Sequence, residues 1–295
     1  MKKTFILLTA LALSFAAQPA HSQGIIVNKT DGTSVRFNAS EVESITTFDY
    51  PLTVKVVSEA GPSVSFKMVK VAGGTFQMGA TSEQGSSGSD DEMPVHSVTL
   101  SDYYIGETEV TQALWYAVMG QKPTSDGSQW ESSYGLSNEY PAYYVSWDDC
   151  QTFISKLNKL TGLSFRLPTE AEWEFAARGG NYSRGYKYAG SNTVDDVAWH
   201  VDNSDSKTHA VGTKSPNELG LYDMSGNVWE WCQDWYDDSY YSSSPQTNPT
   251  GPSSGSFRVL RGGSWYGIVA SCRVSYRYGD SPSYRYSSIG LRLAL

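Results

Sequence analysis

The sequence predicts an α+β fold with little regular secondary structure, preceded by a small N-terminal β-hairpin unit. Three observations predict it. Twenty Tyr, nine Trp and 27 Gly stand beside few long aliphatic residues, the composition of a loop-rich chain held by aromatic packing and hydrogen bonds. Two well-capped amphipathic helices lie mid-chain. Residues 181–295 carry no long periodic element, and loops of that length need local ties, of which a metal is one.

Taken in order, residues 1–22 read as a secretory signal. Lys2 and Lys3 open it, an apolar run over residues 4–17 follows, and Ala20, His21 and Ser22 make a small-x-small site, so cleavage is expected after Ser22. No Cys follows that site, so no lipid anchor is expected, and the rest of the chain has no long apolar run. The mature protein is therefore expected to be secreted or periplasmic, with no membrane span. Its formal charge moves from −9 to −11 without Lys2 and Lys3. That charge argues against nucleic acid and anionic membrane surfaces and leaves cations as ligands. Three Cys, an odd number, do not make a disulfide framework.

Residues 23–66 form the small β-rich unit. Ile25, Ile26 and Val27, an Asp31-Gly32 turn, then Val35 and Phe37 read as a hairpin. Residues 40–43 read as a polar turn or short helix leading to Ile45. Residues 51–66 alternate through Val54, Val56, Val64 and Phe66 and extend the sheet. A lone hairpin is marginal, so this unit is expected to dock on something else.

The main domain covers residues 67–295. Residues 69–78 are strand-like with a break at Gly73-Gly74, residues 81–92 are a Ser/Gly/Asp-rich mobile loop, and residues 96–105 alternate again. Thr111 caps a helix running to Met119. Ser146, with Asp149 three residues on, caps a second whose stripe is Trp147, Cys150, Phe153, Ile154, Leu157 and Leu160. Thr169 and Glu172 form the capping box of a third, which Gly179 ends. Glu170, Glu172 and Glu174 at that start favour the helix dipole.

Residues 220–231 read Gly-Leu-Tyr-Asp-Met-Ser-Gly-Asn-Val-Trp-Glu-Trp. Gly226 permits a sharp turn between two carboxylates. The Asp223 and Glu230 side chains with the Gly226 and Val228 carbonyls suit a hard cation such as Ca²⁺. No Cys/His cluster is nearby, which disfavours zinc. The alternative is that Asp223 and Glu230 cap turns or pair with an arginine, and spacing leaves both open.

That segment, with residues 165–174, residues 176–180, Arg261-Gly-Gly-Ser-Trp265 and Ile289-Gly-Leu-Arg292, resembles the sulfatase-modifying-factor family, whose founding member is the formylglycine-generating enzyme. Residues 74–79, residues 107–111 and residues 145–147 match its N-terminal half. The resemblance covers roughly residues 68–295 and implies a fold similar to the C-type lectin one. It implies a Ca²⁺ site at Asp223, Gly226, Val228 and Glu230. A second family Ca²⁺ site is not carried over, because residues 197–199 read Val-Ala-Trp where the family has Asn before the Trp.

Family chemistry is a copper-dependent oxidation using two Cys after Gly-Gly-Ser, since Cu(I) is soft and is held between sulfurs. Counted forward from Gly262, the pair falls on Gly267 and Cys272; counted back from residues 272–277, both thiols are gone. Copper is not expected in either alignment. The positions of the family's disulfides carry Ile154, Leu293, Ala177 and Val274, apolar on both sides of each pair. Ser264 and Trp229 match family active-site positions and, with Cys272, transfer as groove residues and not as catalysts. Cys150 and Cys232 read as packing, and Cys272 reads more simply as a small buried hydrophobe than as a reactive thiol. His96, His200 and His209 lack metal-ligand spacing. Glu230 and Asp234 are weak as a glycosidase pair.

The leading expectation is an exported, calcium-binding protein that takes a peptide or glycan in the old active-site groove and does not oxidise Cys. The alternatives are an active oxidoreductase of the same family and a structural or assembly module.

Overall fold

The computed structural model describes residues 51–57, 63–123 and 129–295, and before them the backbone of five strands: Lys3–Ile6 (β1), Ala12–Ser14 (β2), Gly24–Asn28 (β3), Ser34–Asn38 (β4) and Val42–Thr46 (β5). The hairpin read from residues 25–37 is present, with β3 antiparallel to β4 and Ile25 opposite Phe37. Its Asp31-Gly32 turn and the expected cleavage site at residues 20–22 lie outside the described residues. Where a polar turn or short helix was expected to lead to Ile45, the chain is extended as β5.

Leu52–Val56 (β6) and Val64–Val71 (β7) continue the alternation. Period-two patterning sends Val54 and Val56 inward, 2 % and 1 % exposed. Next come Gly74–Met78 (β8), His96–Leu100 (β9) and Tyr103–Gly106 (β10). A mixed sheet runs in the order β10-β7-β6-β2-β3-β4, while β8 and β9 form a separate pair. The boundary expected at residues 66/67 falls inside β7, which is hydrogen-bonded to β6 on one edge and to β10 on the other.

The helices follow from their caps. Thr111 accepts the Leu114 N–H at the start of Gln112–Met119 (α1), which ends at left-handed Gly120. Ser146 and Asp149 close a reciprocal capping box on Trp147–Thr161 (α2), and Thr169 and Glu172 do the same on Glu170–Ala177 (α3). Beyond Gly180 the elements are short: Val194–Val197 (α4), then Trp229–Trp235 (β11), Arg258–Arg261 (β12), Arg277–Asp280 (β13) and Ile289–Gly290 (β14). These last four form one sheet, ordered β13-β12-β11-β14.

Two large clusters fill the interior. One joins α1 and α2 to β11 and the C-terminus, with Trp115 stacked on Phe153 at 5.0 Å. The other joins α3 to β8, β9 and β12 around Trp173. Ile154 and Leu293 share the first cluster, and Ala177 and Val274 share the second. Apolar packing thus occupies the places where the resemblance put crosslinks.

The segment expected to be a mobile loop, residues 81–92, is tied down instead. Ser82–Ser87 and Asp90–Glu92 are 3-10 turns. Glu92 is 0 % exposed and receives Arg273 at 2.6 and 2.8 Å. Arg178 reaches Glu83 and the Gly79 carbonyl. Composition read the segment as a mobile loop; Glu83 and Glu92 are instead counter-ions to Arg178 and Arg273.

Candidate functional site

The segment expected to hold a cation divides between two partners. Glu230, on β11, is fully buried. Arg292 donates to both its oxygens at 2.7–3.0 Å, and the Trp173 indole N–H donates to Oε2 at 2.6 Å. Arg292 also anchors the carbonyls of Gly106 and Tyr222, each at 2.8 Å. Asp223 turns the other way. Its Oδ2 accepts the Gly212 N–H at 2.7 Å, while Oδ1 is buried without a partner.

The residue facing Asp223 is Glu109, which sequence reasoning did not single out. Glu109 is 2 % exposed, its Oε1 accepts the Asn227 amide at 3.1 Å, and its Oε2 has no partner. Burial, then the Asp223 charge, pushes the Glu109 carboxyl well above the usual carboxylate range. Burial raises Asp223 as well, with the Glu109 side chain against it. Two carboxyls in contact share a proton in preference to ionising together. The signal was present as a carboxylate flanked by Thr108 and Val110, but nothing local distinguishes it from a surface acid.

Of the four expected ligands, Glu230 is the one whose place is taken, by Arg292 and Trp173. Both Glu230 oxygens are engaged, and a guanidinium beside them repels a second cation. Gly226 is accounted for by packing: its φ is +81°, and a Cβ there would lie 2.3 Å from the Trp199 carbonyl oxygen. Val228 lies in the first apolar cluster. Among the described residues, no group of three or more His, Cys, Asp or Glu is placed to hold a metal.

Of the expected groove residues, Trp229 is half-buried, whereas Ser264 and Cys272 are 1 % and 0 % exposed. The three thiols lie in three different apolar clusters, Cys150 in the first, Cys232 in the second and Cys272 in a third with Tyr188, Val197 and Ala198. Burial pushes the Cys272 thiol up to about 12 and raises Cys150 and Cys232 well above the usual thiol value. These thiols do not fit a two-sulfur copper site, which needs paired thiolates.

What reaches the surface around Trp229 is an aromatic face. Trp229 packs on Tyr276 and Tyr278 with centroids 6.0 and 5.8 Å apart, and Tyr284 packs on Tyr286 at 4.6 Å. A second set runs Tyr144, Tyr134, Trp265, Tyr266. Residues 286–288 join the sets, because their three successive carbonyls accept N–H groups from Tyr144, Trp265 and Trp229. Arg285 fixes the same loop to the start of α2 through a two-pronged pair with Asp149 at 2.6 and 2.9 Å. The outer side chains stay open, with Tyr278, Tyr284 and Tyr286 41–48 % exposed, Tyr266 71 % and Ile268 66 %.

Comparison with known proteins places this geometry. A family model, the sulfatase-modifying factor enzyme 1-like domain, matches residues 55–295. The formylglycine-generating enzyme of Streptomyces coelicolor is 31 % identical over 80 % of this chain and 91 % of its own. A protein of Paenibacillus barcinonensis called chaperone protein LppX is 34 % identical over 72 % of this chain and 84 % of its own. Among solved structures, Treponema denticola variable protein 1 superposes with a TM-score of 0.68 at 36 % identity, covering 83 % of this chain and 99 % of that one.

Proposed function

Since the chain belongs to the family of sulfatase-modifying factor enzyme 1-like domains, we propose that it is an exported binding member of that family and that it does not oxidise Cys. Its ligand is a peptide segment held on the aromatic face around Trp229, Tyr278, Tyr284 and Tyr286. The observation that carries this reading is the contrast between thiols and tyrosines. The three thiols are buried apart from one another, whereas Tyr284 and Tyr286 stand open on a loop pinned by Arg285 and by three backbone acceptors, beside Tyr278 on β13. Exposed Tyr on a fixed loop offers large contact area at small entropic cost. The match to a protein named a chaperone supports a binding role within the family.

A peptide suits this face better than a glycan. Sugar recognition needs unengaged charged or amide groups in fixed directions, and the arginines here already hold acids: Arg285 with Asp149, and Arg277 with Glu170. The oxidoreductase reading keeps one specific support, the identity with the Streptomyces coelicolor enzyme. The test is a peptide array and a glycan array probed in parallel with an aldehyde assay on a Cys-containing peptide, copper and reductant. Binding to peptides that Tyr278→Ala weakens is the expected result. Aldehyde formation that Cys272→Ser abolishes overturns the reading, and silence on both arrays favours a structural role.

A further inference from the structure

At the border of the aromatic face the sheet β13-β12-β11-β14 ends, with β13 as its outer strand. β13 pairs antiparallel with β12, from Arg277 opposite Arg261 to Asp280 opposite Arg258. In such a pair every other residue turns its N–H and C=O away from the partner. Among the described residues, no strand or backbone hydrogen bond takes up those outward groups of residues 277–280. Arg277 lies at the closed end of this edge, 3 % exposed and donating to the carbonyls of Asp91 and Asp237. Beyond it the edge is open: Tyr278 is 48 % exposed, and Gly279, which has only backbone to present, is part-exposed. An open edge is a template for another extended chain.

Period two puts Tyr278 and Asp280 on one face of β13, the face on which Tyr278 packs against Trp229. Asp280 accepts the Ser281 N–H at 2.7 Å, and the nearby bases are committed elsewhere. Arg258, opposite Asp280 on β12, turns to the rings of Trp147 and Trp235 at 3.8 and 3.5 Å. Arg277 is held by Glu170 and Arg285 by Asp149. A ring beside a carboxylate suits a cationic side chain. A second copy of this chain suits the edge poorly, since each copy carries a formal charge of −9.

We propose that the peptide ligand is bound as an added strand on β13, an extended segment that places a Lys or Arg beside Tyr278 and Asp280. Main-chain hydrogen bonds to the open edge would hold it, and its alternate side chains would lie on the aromatic face. This mode of binding rests on the peptide reading of the same face and goes beyond it in naming the backbone as the group recognised and a cation as the side chain selected.

The test uses the intact protein and calorimetric titration with the end-blocked peptide Thr-Val-Lys-Val-Thr-Val. Two further peptides carry N-methyl groups on its odd or on its even residues, and another has Glu in place of Lys. Only alternate N–H groups of an added strand face β13. One methylated peptide is therefore expected to lose about tenfold or more in affinity and the other little. The Glu peptide is expected to bind more weakly than the Lys peptide, and Asp280→Lys to reverse that order. Hydrogen exchange is expected to show protection gained within residues 278–280 when the Lys peptide binds, and it decides the matter if Asp280→Lys does not fold. Equal affinity of the two methylated peptides, with Tyr278→Ala still weakening both, overturns the added strand and leaves the aromatic face as a site for side chains. A Lys peptide that does not bind, while peptides selected on the array do, has the same meaning. No gain of protection within residues 278–280, or a Glu peptide that binds as tightly as the Lys peptide, also overturns the proposal. Dimers of the free protein with residues 278–280 already protected assign the edge to a second copy and overturn it as well.

Discussion

Arg292 grips both carboxylate oxygens of Glu230 at 2.7–3.0 Å, with both side chains 0 % exposed. The pair stands where a metal was expected, and it supplies the positive charge that Glu230 needs. Removing one partner strands a buried charge, which costs about 3–5 kcal/mol. Arg292→Ala and Glu230→Ala are therefore each expected to lower unfolding free energy by about that amount in urea titrations. Arg292→Lys is expected to rescue little, because a point charge cannot reproduce the fork that also holds Gly106 and Tyr222. In the same titrations, calcium and chelator are expected to leave the wild-type midpoint in place. A rise with calcium that Asp223→Ala removes would restore the four-ligand cation site.

Asp234 gives a pH prediction. It is 2 % exposed and accepts the Glu170 N–H at 3.0 Å. Burial, then the Glu170 charge, pushes its carboxyl up to about 8. The folded state therefore keeps a proton that the unfolded chain releases near its ordinary value, about 3.9. Stability from this group is complete below that ordinary value and is lost as pH rises through the folded one, with a slope of about 1.4 kcal/mol per pH unit. Asp234→Asn keeps the acceptor and removes the proton. Urea midpoints are expected to converge in acid and to separate toward pH 8, with the Asn variant the more stable. Parallel curves would show that Asp234 is ionised throughout.

The parts of this fold written in local pattern were legible beforehand. Thr111, Ser146 and Thr169 cap the helices they were expected to cap, because a cap is decided by residues three apart. Gly226 was read correctly as a turn, but the close approach that requires it, to Trp199, comes from a segment no local rule connects to it. The same limit applies to charge. Glu92 finds Arg273, Glu170 finds Arg277 and Glu230 finds Arg292 only after the chain has folded back over 60 residues or more. Sequence composition showed acids in a loop and in a calcium-like turn; tertiary pairing made them partners of arginines. Glu109 was passed over for the same reason, since its meaning lies in Asp223.

The thiols yield a chemical test. Cys150, Cys232 and Cys272 are each 0 % exposed, and burial raises all three pKa values, Cys272 to about 12. The thiolate is the reactive form. With iodoacetamide at mildly alkaline pH, intact-mass measurement is expected to find no adduct on the native protein and three after denaturation. Rapid single labelling of Cys272 in the native state would reinstate it as a groove thiol.

The aromatic face separates binding from stability. Tyr278, Tyr284 and Tyr286 are 48 %, 41 % and 47 % exposed, so truncating them empties no core. Surface changes of that kind alter stability by about 0.5 kcal/mol or less. At a contact centre, by contrast, losing a Tyr costs about 2 kcal/mol or more in binding. Tyr278→Ala is therefore expected to weaken a peptide selected on the array by about thirtyfold while the thermal midpoint stays put. Arg285→Ala tests the support. It leaves every ring in place but frees the loop from Asp149, so binding is expected to fall through the cost of ordering the loop, with dissociation faster and association little changed. If Tyr278→Ala and Arg285→Ala both bind as the wild type does, the face is not the ligand site, and the exposed rings of residues 278–286 need another account.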